Sequence, residues 1–267
     1  MALQSSGAIK LSEIQTEFGG SDPISLSEYY QNASPDLVTS NNTGVPNTGN
    51  PISMTDFYDT VKGTSVYFEI IGAGAGGGAG DGSPGLGSNG GDSTITYTVA
   101  GAGSSTTITS DGGTRYTGKQ TGWGKGSNSY YGSGGAGGPS SDSNNQDDGY
   151  VPSSTAYGAG GGGGGAHTFS ERNGGIGGGA GGTNGSSYTV TAWNSSATLT
   201  RYVGMPTTDT ILMEPGSTVT IVIGTGGAGA SGATSGARGA HGYCKLTVNG
   251  TDYEYTATGS HTFTVPS

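Results

Sequence analysis

Val66-Tyr67-Phe68-Glu69-Ile70-Ile71 runs without a break into Gly72-Ala73-Gly74-Ala75-Gly76-Gly77. The first half is rich in β-branched and aromatic residues and reads as a strand. The second half has almost no side chain. That junction, a strand feeding a glycine block, sets the pattern for everything after Thr64. Further strands are predicted at 93–99, 105–109, 187–192, 217–223, 242–248, 253–258 and 261–265, beside the first at 65–71. Glycine blocks at 72–80, 132–138, 158–165, 174–182 and 224–229 lie between them.

Asn249-Gly250 lies between two strand-like runs and gives the strongest hairpin signal of the chain. Gly259-Ser260 supplies a second turn, so the last strands are expected to form a three-stranded meander. Glycine loses the most backbone entropy on ordering and has no side chain to bury. A long ordered glycine run therefore needs dense hydrogen bonding between segments, which packed polyproline-II-like glycine helices would provide. The expected fold is mainly β, a β-sandwich-like body (63–267) with glycine-rich, polyglycine-II-type segments, preceded by a small N-terminal segment (1–62) with short helices.

Composition limits the alternatives. Glycine accounts for 58 of 267 residues, and charged residues for only 10%. A net charge of −10 spread over that length is too dilute to force disorder by repulsion, and the irregular glycine spacing excludes a collagen repeat. Nine scattered Lys and Arg residues leave no basic stripe for nucleic acid. The single cysteine, Cys244, reads as a small core residue on a strand and has no partner for an intramolecular disulfide or a zinc pair. Apolar runs such as Ile221-Val222-Ile223 fall far short of the roughly 20 residues of a spanning helix, so no membrane insertion is expected.

Residues 1–62 are poor in glycine and carry a motif three times: Ile9-Lys10-Leu11-Ser12-Glu13-Ile14, Ile24-Ser25-Leu26-Ser27-Glu28-Tyr29 and Ile52-Ser53-Met54-Thr55-Asp56-Phe57. Each copy reads as two alternating apolar residues, a Ser or Thr at the N-cap, then an acid in the first helical turn. Helices are expected at about 13–18 and 56–61. Elements this short are unstable alone. Ile14, Phe18, Tyr29, Tyr30, Phe57 and Tyr58 present more apolar surface than they are expected to bury among themselves, so the segment is a candidate docking or oligomerisation module; a small cap on the β body is the alternative.

Catalytic constellations are weak. Gly72-Ala73-Gly74-Ala75-Gly76-Gly77 with Asp92 downstream mimics a dinucleotide fingerprint, yet the following Gly and Pro cannot form the phosphate-binding helix. His167, His241 and His261 have no local acidic orienter, and no carboxylate pair stands out. The acidic stretch 142–148 lacks EF-hand spacing and reads as a solvated loop. No enzyme activity, metal or cofactor is expected. The segments 115–131, 140–157, 167–172 and 193–209 are polar, lack strand periodicity, and most carry Tyr or Trp. Tyr116, Trp123, Tyr130, Tyr131, Tyr150, Tyr157, Trp193 and Tyr202 are candidates for recognition, since such side chains offer rigid amphipathic contact area, or for plugs over a thin core.

The opening, through Phe18-Gly19-Gly20 and Ser27-Glu28-Tyr29-Tyr30, resembles a leader found on structural proteins of tailed phages, especially those of marine bacteria and cyanobacteria. The body resembles the glycine-rich domain of phage fibres in Val66 through Gly74, in Pro215-Gly216-Ser217-Thr218-Val219-Thr220-Ile221-Val222-Ile223-Gly224 and in Gly239-Ala240-His241-Gly242-Tyr243. A Thr-Phe-Thr-Val-Pro strand usually opens that domain; here Thr262-Phe263-Thr264-Val265-Pro266 stands last. Alternating glycine blocks and loops also look like the distal adhesins of T-even phages.

The resemblance implies a virion protein at the particle surface, a tail fibre or adhesin. It would dock on other virion proteins through residues 1–62 and meet a host glycan or protein through its Tyr/Trp loops. A homotrimer is expected, because a chain poor in apolar residues gains buried area from symmetry mates. The start lacks the charged and apolar regions of a signal peptide, which suits release by lysis. Two other classes remain open: a capsid or neck decoration fibre without receptor binding, and an ice-binding protein, which needs a flat, regular Thr/Ala face and is disfavoured by the irregular glycine spacing.

Overall fold

A computed structural model of the chain describes residues 3–31, 42, 44–79, 86–102, 104–115, 126–135, 151–161, 179–191, 198–231 and 235–266. It is mainly β. Two four-stranded antiparallel sheets are present, with one separate two-stranded hairpin and one short N-terminal α-helix. The strands are β1 (Thr64–Ile71), β2 (Ser93–Thr98), β3 (Ser105–Ser110), β4 (Thr183–Thr191), β5 (Thr198–Met205), β6 (Thr207–Met213), β7 (Thr218–Ile223), β8 (Tyr243–Val248), β9 (Thr251–Tyr255) and β10 (Gly259–Thr264).

The first sheet has the order β6-β1-β8-β9 and the second β10-β7-β2-β3. Val66, Phe68 and Ile70 of β1 with Cys244, Leu246 and Val248 of β8 share one buried cluster with Ile95, Tyr97, Val219, Ile221, Ile223, Phe263 and Val265 from the other sheet. Period-two alternation explains which face goes in: β2 buries Ser93, Ile95 and Tyr97 and leaves Thr94, Thr96 and Thr98 outward.

The Asn249-Gly250 hairpin joins β8 and β9, with φ of 50° and 77° at its two turn residues, the positive values of a type I′ turn. The expected meander is corrected beyond that point. β10 leaves β9, crosses to the second sheet and pairs with β7, Phe263 opposite Val219. Crossing places Phe263 and Val265 in the shared cluster, which pairing within the first sheet alone would not achieve. The stretch 193–209, read as irregular, holds all of β5 and the start of β6.

Glycine segments continue from the sheet ends. Along 72–79, all buried, successive N–H groups donate to different neighbours. Ala73 and Gly76 bond Gly91 and Ser88 (2.9 and 3.0 Å), Gly74 and Gly77 bond Ala240 and Ala237 (2.9 and 2.8 Å), and Ala75 bonds Gly179 (2.8 Å). Carbonyls along the same run accept from three further segments: Ala73 from Gly113 (2.7 Å), Ala75 from Gly161 (3.0 Å), and Gly74 and Gly77 from Gly227 and Ala230 (both 2.9 Å). Where a neighbour is bonded twice it recurs every third residue, the period of a polyproline-II backbone. Six segments thus surround one strand of glycine and alanine. A Cβ on Gly74 would lie 2.0 Å from the carbonyl oxygen of Ala159, and one on Gly76 2.0 Å from that of Ala228, so backbone approach excludes any side chain there.

The N-terminal residues form their own buried cluster of Ile14, Phe18, Tyr29, Val45 and Phe57, sharing no member with that of the sheets. The helix α1 spans Leu11–Phe18, and single 3-10 turns span Leu26–Tyr29 and Met54–Phe57. The caps fall at Lys10, Ser25 and Ser53, two residues before the expected Ser and Thr positions. The repeated acid explains why: Glu13, Glu28 and Asp56 each accept a hydrogen bond from the cap's own backbone N–H, at 2.7, 3.3 and 2.7 Å. The last turn is also shorter than the helix expected at 56–61.

Candidate functional site

Two features of the body could meet a partner: an aromatic ledge over the end of the first sheet, and the end of the glycine bundle remote from both sheets.

The ledge starts from a charge ladder. Glu69 on β1 and Glu254 on β9 both lie opposite Lys245 on β8, and Lys245 Nζ is 3.5 Å from Glu69. The Tyr131 hydroxyl donates to Glu69 Oε1. Burial, then that hydrogen bond to Glu69, push the Tyr131 hydroxyl far above its ordinary range; burial and the Glu254 carboxylate do the same at Tyr243. Both stay protonated donors at any physiological pH. Tyr157 stacks on Tyr243, with ring centroids 4.7 Å apart, and Tyr131 meets both edge-on at 5.7 and 5.0 Å. Tyr130 packs its ring against Tyr131 at 5.3 Å and is 61% exposed.

Of the aromatic residues singled out in the sequence, the structure therefore brings Tyr130, Tyr131 and Tyr157 together. Tyr131 and Tyr157 act as covering plugs held by partners within the chain, and Tyr130 is the one that faces outward. Tyr202, on β5, is exposed and lines a separate polar hollow of about 390 Å³ with Asp111, Thr114, Arg115 and Asn184. Tyr116, Trp123, Tyr150 and Trp193 lie outside the described residues, as do His167 and the acidic stretch 142–148. Tyr243, Glu69 and Glu254 escaped the sequence reading because each sits in an ordinary strand pattern; Tyr243 at a strand end directly after glycine was the only hint.

The bundle has a direction. Gly91 pairs beside Ala73 and Ser88 beside Gly76, so that segment runs back toward the sheets. Gly227 and Ala230, beside Gly74 and Gly77, run outward, and Ala237 and Ala240 return. Gly158 bonds His241 near the sheets and Gly161 bonds Ala75 further out. Gly135 bonds Gly160, and Arg115 bonds the Asn89 side chain. The described chain accordingly leaves the bundle at residues 79, 115, 135, 161 and 231 in one common direction, away from the sheets.

In the N-terminal segment, Ile14, Phe18, Tyr29 and Phe57 are buried, and the expectation that short helices could not cover them is corrected. Phe57 takes Phe18 and Tyr29 edge-on at 6.3 and 6.0 Å, and Val45 with flanking Ile and Leu residues closes the cluster. Tyr30 and Tyr58 are half-buried, their hydroxyls donating to the carbonyls of Asn50 and Gly7. A partner would meet the outside of this module, not these rings.

Chemistry is sparse among the described residues. His241 Nδ1 accepts from the Gly226 N–H (3.0 Å), and His261 Nε2 lies 2.7 Å from the Ala257 carbonyl. Cys244 is buried in the core, its thiol pushed up to about 12 mainly by that burial. No group of His, Cys, Asp and Glu able to hold a metal ion occurs among the described residues. Residues 72–79 contain no helix, so the glycine run offers no helix N-terminus to a pyrophosphate. No family model, curated protein or solved structure matches the chain.

Proposed function

We propose that the chain is a non-enzymatic surface component of a tailed-phage virion, a tail fibre or adhesin that displays loops from a glycine scaffold. Its body is a β-sandwich reinforced by a polyglycine-II bundle. Residues 1–62 dock it on other virion proteins, the displayed end meets a host cell-surface glycan or protein, and three copies assemble together. The observation that carries this reading is the common direction in which the chain leaves the bundle at residues 79, 115, 135, 161 and 231. Five outgoing segments on one end of a bundle whose centre is backbone hydrogen-bonded is how a rigid scaffold presents recognition loops.

Particles carrying the chain provide the test. Changing Trp123 and the ledge residue Tyr130 to Ala together, with Tyr131 kept because it holds Glu69, should leave incorporation intact and cut host adsorption more than tenfold, as loss of aromatic contact residues can. Normal adsorption would refute the receptor role and favour a capsid or neck decoration fibre.

Ice binding has one observation in its favour. The outer face of the second sheet carries in-register rows, Thr262-Thr220-Thr96-Thr107 beside Ser260-Val222-Thr94-Thr109, with no charged residue. The usual twist of roughly 20–25° between neighbouring strands bends such a face away from a flat ice plane. Absence of ice-recrystallisation inhibition by the purified protein dismisses this reading; inhibition abolished by Thr96→Lys and Thr220→Lys establishes it.

A further inference from the structure

Beside the tyrosine ledge lies a cleft of about 480 Å³ lined by Val151, Pro152, Tyr157, Arg238, His241 and Thr256, with the hydroxyls of 153–155 along one wall. We propose that this cleft binds an acidic sugar, a pyranose carrying a carboxylate, and so supplies a glycan subsite on the flank of the body. The inference deepens the display reading only in giving such a sugar a source on the host surface.

Lining chemistry carries it. The chain has 19 acidic and 9 basic residues, yet this cleft contains one guanidinium and no carboxylate. Among the described residues, the carboxylates of the adjoining ledge are engaged elsewhere: Glu69 with Lys245 and Tyr131, and Glu254 with Tyr243. Among the described residues Arg238 has no ion-pair partner, and its fork suits a planar carboxylate. Acceptance of the Gly226 N–H by His241 Nδ1 leaves Nε2 as the donating nitrogen. Ser153 Oγ and Thr155 Oγ1 lie 3.2 Å apart, a pair of hydroxyls that can donate to or accept from ring hydroxyls.

The apolar part fits the C–H face of a sugar. Tyr157 is locked by stacking on Tyr243 at an interplanar angle of 11°, so its ring is pre-organised. Val151, 64% exposed, and Pro152 add apolar surface to the same lining. The volume lies within the usual range of small-ligand sites, roughly 300–1,000 Å³, and suits one or two sugar rings.

Titration of the full chain with D-glucuronate and D-galacturonate, against D-glucose, D-galactose and acetate, tests it. The uronates should bind at least tenfold more tightly than either neutral sugar or acetate, and Arg238→Gln, an exposed change that leaves the fold intact, should abolish the preference. Tri-galacturonate binding more tightly than the monomer identifies a polysaccharide as the source; equal affinity identifies the free sugar. Equal binding of neutral and acidic sugars, acetate matching the uronates, or an unchanged Arg238→Gln protein overturns the inference. Uronate binding alongside normal particle adsorption by Arg238→Gln and by the Trp123/Tyr130 variant sustains the cleft and removes the receptor role. Loss of adsorption in the Trp123/Tyr130 variant, with no uronate binding, does the reverse.

Discussion

The ring of Tyr157 lies parallel to that of Tyr243, 4.7 Å away, and ties a glycine-bounded turn to the end of a core strand. Tyr243 belongs to β8, while Tyr157 directly precedes Gly158, whose N–H bonds the His241 carbonyl at 2.8 Å. The stack is one side-chain clasp between sheet and bundle, beside the Tyr131–Glu69 hydrogen bond. Tyr157→Ala should therefore destabilise the body by about 1–3 kcal/mol, and Tyr157→Phe by far less, since the ring is what packs. Thermal unfolding of the two variants checks this.

The bundle tolerates no side chain at its centre. Gly74→Ala drives a Cβ to 2.0 Å from a backbone carbonyl, where no rotamer change gives relief. Its cost should exceed the roughly 1–3 kcal/mol of ordinary overpacking. Gly49→Ala meets nothing within 4 Å and pays only for its φ of 97°, about 1–2 kcal/mol. Expression and melting temperature of the pair give the contrast.

How far the sequence revealed this fold depended on side chains. β1, β2, β7 and β8 were legible because alternation or β-branched runs mark their buried faces, and Asn249-Gly250 announced its turn. β6 is not legible because it lies at the edge of its sheet, with β1 as its ladder partner, and its Thr207-Thr208-Asp209-Thr210 half is mostly exposed. β10 was assigned to the wrong sheet because adjacency in sequence favours a meander, whereas burial of Phe263 required a crossing. Glycine composition called for inter-segment hydrogen bonds, but glycines carry no label, and nothing in the sequence says that Ala73 pairs with Gly91. In the N-terminal segment the three acids were noticed for the helix dipole, while their bonds back to the cap N–H, which move each start two residues earlier, were not. Four of the eight aromatics named as recognition candidates, Tyr116, Trp123, Tyr150 and Trp193, lie outside the described residues, so for them the sequence reading stands as an expectation.

The two separate cores should unfold separately. Phe57→Ala removes a buried ring contacted edge-on by Phe18 and Tyr29 and should cost the N-terminal module about 3–5 kcal/mol. The melting of the β body should not move. A single shared transition lowered by this change would contradict independent cores.

Acid should loosen the contact around His241. Burial, then Arg238, lower its pKa from the ordinary value, so the folded state favours neutral imidazole. The unfolded chain takes up the proton first as pH falls below about 6.5, so this contribution is complete above that value and is lost as pH drops through the folded-state pKa. Stability measured by denaturant titration should fall between pH 7 and 5. In His241→Gln, whose side-chain oxygen can still accept the Gly226 N–H, that slope should be shallower.

Amide hydrogen exchange, resolved by residue, addresses the ordered glycine scaffold most directly. If the N–H groups from Ala73 to Gly77 are held in turn by three neighbouring segments, these amides should exchange as slowly as those of β1 and β8, and Gly74→Ala should release them together. Exchange at the rate of an unstructured chain across 73–77, 88–91 and 225–230, with β1 still protected, would mean that the glycine blocks are linkers and that the display end has no scaffold behind it.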